Sequence, residues 1–231
     1  MSIPKIIIQT WKTEDTPKES KGYLGVSSDP TSFIKTLRDK NPDFEYKFFD
    51  DKEVVRFIET YYPEYVDLFN GLENISKFDF FRYLAIYKYG GFYFDIDMTI
   101  NHSLAPLTEG HTAIFPKEFE ISGLSILEEQ NLTFLLGQYA FAATPKHPFI
   151  KHLINNIKYP PFKQDTWRNF EAQCGRGTKA HFRTAAVLVS QSYISYLSSG
   201  SSKITILEPT PQFESARFGN YGKHWAMGSW K

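Results

Sequence analysis

The sequence predicts an α/β chain built as a layered sheet flanked by helices, and three observations carry that expectation. Short runs of β-branched and aromatic residues alternate with helix-like segments along all 231 residues, the order expected when strands and helices pack in layers. Hydrophobic residues make up 42% of the chain and aromatic ones 17%, enough apolar material for one domain, 1–231, with a substantial core. The clearest helix passes through a glycine pair, Gly90-Gly91, straight into an aromatic strand.

In chain order, residues 5–9 form a β-branched run after Pro4 and predict a first strand ending at Gln9, Thr10 and Trp11. A polar, glycine-containing loop over 14–28 precedes a helix near 31–40, closed by Asn41-Pro42. Residues 44–49 read as a second strand, and 51–60 and 63–70 as short helices. The most legible helix covers 72–89, with Ile75, Phe78, Arg82, Ala85 and Tyr89 spaced at three and four, and the glycines stand where a left-handed cap belongs. Strands follow at 112–115 and 135–143, helices at 147–157 and 179–197, and a strand at 203–207. The tail, 209–231, is rich in aromatics and glycine and reads as an ordered loop.

Charge and cysteine content exclude several function classes. Lysine plus arginine and aspartate plus glutamate balance at 26 each, so no net field draws nucleic acid or an anionic membrane, and charged ligands must be held by local chemistry. The lone cysteine, Cys174, rules out an internal disulfide framework and fits a reducing compartment. No window approaches the roughly 18 to 20 apolar residues of a transmembrane span, and the apolar run near the N-terminus is too short for a signal peptide. The expectation is a cytoplasmic protein.

The chemistry lies in GGFYFDIDM, residues 90–98. Strand alternation predicts Phe92, Phe94 and Ile96 on one side, facing core, with Tyr93, Asp95 and Asp97 on the other. Two carboxylates on one face repel and are costly to bury unpaired, so the pattern calls for a bound cation or several hydrogen-bond donors. Oxygen ligation suits Mn²⁺ or Mg²⁺, cations that also take diphosphate oxygens. On the preceding helix Asp79 and Arg82 stand three apart and share a face, either as a local ion pair or as a second polar pair converging on the same cleft.

Two patterns compete for the aspartates. DIDMT matches the D-x-D-x-T nucleophile motif of haloacid-dehalogenase-like phosphatases, with Asp95 as nucleophile. Such enzymes need further carboxylates downstream, and the only aspartate after Asp97 is Asp165. Against this, IPKIIIQTWK, NPDFEYKFFDD, SKFDFFRYLAIYKYGGFYFDIDM, QYAFAATPKHPF and HWAMGSW follow one another in an order that resembles a single family. It is that of the glycosyltransferases with a D-x-D sugar-binding region, related to fungal initiating α-1,6-mannosyltransferases and bacterial capsular polysaccharide transferases. More distantly, the central block resembles the catalytic domain of the clostridial glucosylating toxins.

The resemblance implies a GT-A-like fold, an α/β/α nucleotide-sugar-binding sandwich with a mixed central sheet. It also implies a divalent metal, a nucleotide-diphosphate sugar donor, a glycan acceptor and retention of configuration. By matching position, Asp97 is the direct metal ligand, and Asp95 contacts metal, ribose or sugar. Asp79 and Arg82 hold donor-sugar hydroxyls. Trp11, with Gln9 and Thr10 before it, stacks on the base, and Gln138 reaches donor or acceptor. His224 approaches the metal and diphosphate, while Ser229 and Trp230 belong to a lid formed by the tail. Two departures stand out: Ile8 replaces a histidine common before Gln-Thr-Trp, and HFRTAAVL replaces a T-G-P segment. A sugar-nucleotide-binding module without turnover is the remaining alternative.

Overall fold

A computed structural model of the chain describes residues 2–18, 20–21, 27–121, 125–128, 131–161, 172, 179–200, 204–211, 214 and 216–227. The elements are β1 (Ile6–Thr10), β2 (Ser20–Lys21), β3 (Ser27–Ser28), α1 (Pro30–Lys40), β4 (Glu45–Phe49), α2 (Asp51–Tyr61), α3 (Val66–Gly71), α4 (Asn74–Tyr89), β5 (Gly91–Phe94) and β6 (Met98–Ile100). They continue with β7 (Ala113–Glu120), α5 (Ser125–Glu128), β8 (Phe134–Leu136), β9 (Ala140–Ala143), α6 (Pro148–Lys158), α7 (Lys179–Arg183), α8 (Ala186–Ser198), β10 (Thr205–Leu207), β11 (Arg217–Phe218) and β12 (Gly222–His224).

The central sheet runs β10-β7-β9-β5-β1-β4, with β8 added to β7. It is mixed: β1 is parallel to β4 and β5, whereas β9 is antiparallel to β5 and β7. Alternation along each strand feeds two cores. Ile8, Tyr93 and Phe141 face a layer built from α2, α3, α4, α6 and α8. Ile7, Phe92, Phe94 and Ala142 face Leu37 of α1 and the small sheet β11-β12-β6. The expected α/β/α sandwich is therefore present, with a three-stranded sheet completing the second outer layer.

Local chemistry explains the boundaries. Asp29 accepts the Ser32 N–H at the start of α1, and Asp50 with Glu53 forms a reciprocal capping box on α2. Gly90 ends α4 at φ +67°, and Gly91 follows at φ +92°. A Cβ on Gly91 would stand 2.4 Å from the Ile6 carbonyl oxygen, so only glycine lets β5 press against β1 while the chain turns out of the helix.

Several elements differ from the sequence expectation for stated reasons. The spacing over 72–89 predicts one buried stripe, but α4 is buried all round from Asp79 to Ile86 while Ile75 is 38% exposed, because the helix lies between the sheet and α2, α3 and α6. The expected strand 135–143 is two strands broken at Gly137–Tyr139, and the expected helix 179–197 breaks at Thr184. The tail is more than a loop, since β12 pairs with β6. Cys174, Ser229 and Trp230 lie outside the described residues. Among the described residues no helix is long and apolar enough to cross a membrane.

Candidate active site

The strand expected to carry the aspartates ends before it reaches them. β5 stops at Phe94, so Asp95 and Asp97 stand in a turn, closed by the Met98 N–H donating to the Asp95 carbonyl at 3.2 Å. Their convergence thus comes from the turn, and strand alternation gave the right grouping for a different reason. Phe94 and Ile96 remain buried in the core below.

Four elements bring polar groups to this turn. From α4, the Arg82 guanidinium lies 2.9 Å from Asp79 Oδ1 and 3.3 Å from Asp95 Oδ1. It also donates to the Gln138 carbonyl at 3.1 Å and sits 4.7 Å from the Tyr93 ring centre. The helix spacing read as either a local pair or a converging polar pair is both, since Arg82 bonds Asp79 and also reaches Asp95. From the break between β8 and β9, Gln138 Nε2 donates to Asp79 Oδ1 at 3.2 Å. From the break between α7 and α8, the Thr184 hydroxyl lies 2.7 Å from Asp79 Oδ2. From β12, His224 Nε2 lies 3.2 Å from Asp97 Oδ1 and 3.9 Å from Asp95 Oδ2.

Electrostatics distinguish the two aspartates. Burial pushes the Asp95 carboxyl up, against the pull of Arg82. Burial acts on Asp97 in the same direction, but the His224 imidazole and the Met227 N–H, donating at 2.9 Å, outweigh it and hold its carboxyl below the usual carboxylate range. His224 is correspondingly raised: burial opposes its charge, and Asp97 and Asp95 overcome that. Burial pushes Glu118 on β7 up to about 7, in a place where His224 partly offsets the effect.

Asp95, Asp97 and His224 each offer a ligand atom, and these atoms all lie within 4.8 Å of one another. Two carboxylate oxygens and an imidazole nitrogen form a donor set that fits Mn²⁺ well and Mg²⁺ less well, since magnesium prefers oxygen alone.

The sequence-predicted residues divide clearly. Asp79, Arg82, Asp95, Asp97, Gln138 and His224 form one connected cluster. Gln9 joins it through backbone, donating from Nε2 to the Asp95 carbonyl at 3.3 Å, while its Oε1 accepts from Tyr46 at 3.0 Å. The Thr10 hydroxyl turns instead to the Phe49 carbonyl, 2.8 Å away, and Trp11 is buried at the end of β1. Sequence reasoning set Tyr93 on the side of the aspartates without giving it a role, and its hydroxyl donates to Asp95 Oδ1 at 2.8 Å. It missed Tyr139, which stacks on His224 at 4.6 Å. It also missed Thr184. No local signal marks a threonine over a hundred residues from its partner as part of the site.

Comparison with known proteins agrees with this geometry. Residues 28–115, which hold Asp79, Arg82, Asp95 and Asp97, match the family model described as glycosyltransferase sugar-binding region containing DXD motif. The chain is 32% identical over 157 residues to inositol phosphoceramide mannosyltransferase 3 of Schizosaccharomyces pombe, covering 68% of this chain and 37% of that protein. It is 37% identical over 99 residues to the initiation-specific alpha-1,6-mannosyltransferase of Candida albicans, covering 41% and 24%. The chain spans about two fifths of the length of the first curated relatives it matches, 37% and 43%. Among solved structures, the PaToxG glycosyltransferase superposes with a TM-score of 0.52 over 86% of this chain and 73% of that one, at 13% identity, a likeness of fold.

Proposed function

The chain belongs, through residues 28–115, to the glycosyltransferases whose sugar-binding region contains a DXD motif, and from that premise we propose a metal-dependent, retaining transferase that moves a hexose from a nucleotide-diphosphate sugar to a glycan hydroxyl. The observation that carries the reading is the juxtaposition of two polar sets. Asp95, Asp97 and His224 converge as one donor set, and the Asp79–Arg82 pair adjoins it through Asp95.

In this reading Asp97, Asp95 and His224 hold Mn²⁺. When bound, the cation supplies Lewis-acid stabilisation to the diphosphate as its charge develops. Asp79 and Arg82 bind hydroxyls of the donor sugar. Asp79 is suited to this because Arg82, Gln138 and Thr184 fix its carboxylate from three directions, which keeps it oriented before the sugar arrives. Gln9, itself held by the Tyr46 hydroxyl, holds the Asp95 carbonyl, and Trp11 at the end of β1 stacks on the base. The segment from Trp225 to Met227 is tied to Asp97 by two N–H donors, and Ser229 and Trp230 beyond it close over the phosphates and exclude water.

Asp95 is engaged by Arg82 and Tyr93, which argues against a free carboxylate nucleophile. A front-face course follows, in which the acceptor hydroxyl attacks while the departing diphosphate takes its proton. The names of the matched relatives favour mannose as the sugar. The phosphatase alternative gains nothing from the family match or the fold.

A hydrolysis and transfer assay with manganese and a panel of UDP- and GDP-hexoses tests the proposal. Turnover that is lost in Asp97→Ala and with chelator is expected. Full activity in either condition would sink the metal clamp, donor binding without turnover would leave a binding module, and a covalent aspartyl-phosphate would restore the phosphatase.

A further inference from the structure

The even charge balance conceals an uneven distribution. At the end of β5 opposite Asp95, and on the flank beside it, tyrosines and lysines interleave over four elements. Lys88, near the end of α4, sits 3.8 Å from the Tyr61 ring centre at the end of α2, and Tyr61 packs edge-on against Tyr89. Lys151 on α6 lies 5.8 Å from the Tyr65 ring centre and 5.7 Å from that of Tyr87. Two turns further along α6, Lys158 reaches the Tyr65 ring at 5.9 Å and the Tyr159 ring at 5.3 Å. Lys146 completes the set in the turn between β9 and α6, where its N–H donates to the Tyr87 carbonyl at 2.8 Å.

None of Lys88, Lys146, Lys151 and Lys158 forms an ion pair with a described carboxylate, unlike Lys5, Lys35, Lys47 and Lys117 elsewhere. Glu45, which acts on Tyr89 at the edge of this face, is itself paired with Lys47. Helix dipoles account for Lys88 and Lys158, which stand in last turns, but not for Lys146 or Lys151. Lys146 is held at φ +57°, a conformation unfavourable to a residue with a side chain. Tyr61 is 44% exposed and Tyr159 69%, so the rings lie at the surface with the cations.

From this we infer that the face formed by Tyr61, Lys88, Lys146, Lys151, Lys158 and Tyr159 is a docking surface for an anionic lipid bilayer. Amphipathic rings that take up the headgroup region, combined with long flexible ammonium side chains, match a lipid surface. Nucleic acid or a planar phosphate would be met more fittingly by arginine, which this face lacks. Lys88 precedes the start of β5 at Gly91, whereas Asp95 and Asp97 follow its other end at Phe94, so docking leaves the aspartates uncovered.

Co-sedimentation of the full chain with vesicles of phosphatidylcholine alone, and of phosphatidylcholine with about a third phosphatidylserine, tests this. Binding to the anionic vesicles only, weakened by 0.5 M salt, is expected. Each lysine at an anionic surface changes partitioning about fivefold, so the triple variant Lys88→Gln, Lys151→Gln, Lys158→Gln should lose on the order of 100-fold. The same loss of charge at Lys18, Lys40 and Lys52 should leave binding within a few fold, and circular dichroism checks that both variants fold. Equal binding to neutral vesicles, equal loss in both variants, or preference for a soluble polyanion such as DNA over the anionic vesicles would overturn the inference.

Discussion

Replacing Arg82 by methionine should destabilise the fold by at least about 3 kcal/mol, even without any ligand. The guanidinium is 2% exposed and stands between two carboxylates, Asp79, itself 1% exposed, and Asp95. Removing one partner of a buried pair typically costs about 3 to 5 kcal/mol, because the other charge is left in a medium that solvates it poorly. Asp79 would keep the Thr184 hydroxyl and the Gln138 amide, which places the expected cost toward the lower end. For a chain of this size that corresponds to a fall in Tm of roughly 6 to 12 °C. Urea unfolding followed by circular dichroism, with chelator present, measures it. The double variant Arg82→Met, Asp79→Asn should recover a measurable part of the loss, since both charges are then gone. A single-variant cost below about 1 kcal/mol, or strict additivity in the double variant, would refute the reasoning.

Thr184→Val should leave Asp79 Oδ2 without its 2.7 Å donor, costing about 1 to 3 kcal/mol in the same assay, and Thr184→Ser should restore it. Gly91→Ala should cost about 2 kcal/mol or more in chemical denaturation, from the left-handed φ and the Ile6 oxygen 2.4 Å from the added carbon. His147 should make stability fall on acidification: burial lowers its pKa from an ordinary 6.5 to about 4, so the unfolded chain takes up a proton that the folded one refuses. Its contribution is complete above about pH 6.5 and is lost progressively down to about 4, up to about 3 kcal/mol in all. His147→Asn keeps an acceptor for the Phe149 N–H and should flatten that slope in urea midpoints measured across the window.

How much of this was legible in the sequence follows from the range of the interactions. Periods of two, helix caps and glycine punctuation are local, so β1, α1, β4, α2, α6 and the handover at Gly90-Gly91 follow from the residues themselves. The face of α4 does not, because a helix surrounded by other elements carries no apolar stripe, and spacing through Ile75 and Phe78 picks a direction that tertiary packing ignores. The breaks at Gly137–Tyr139 and at Thr184 are invisible to periodicity, because apolar residues continue on both sides. Those breaks place Gln138 and Thr184 against Asp79. That the acidic pair shares one side was legible from the residues, and its grouping with His224 from the resemblance. Tyr93 joins Asp95 from two residues away, on the side that alternation assigned to it, whereas the places of Tyr139 and Thr184 depend on long-range pairing alone.

The most direct test of the central claim is the thermal response to Mn²⁺ with a nucleoside diphosphate, compared between the natural chain and Asp97→Asn. Asparagine can still accept the Met227 N–H, so the tail contact is preserved while a charged metal ligand is removed. In the natural chain, Mn²⁺ and UDP or GDP together should raise Tm by more than the sum of their separate effects, because each completes the binding site of the other. In Asp97→Asn that excess should vanish. An undiminished joint shift in the variant would contradict the account.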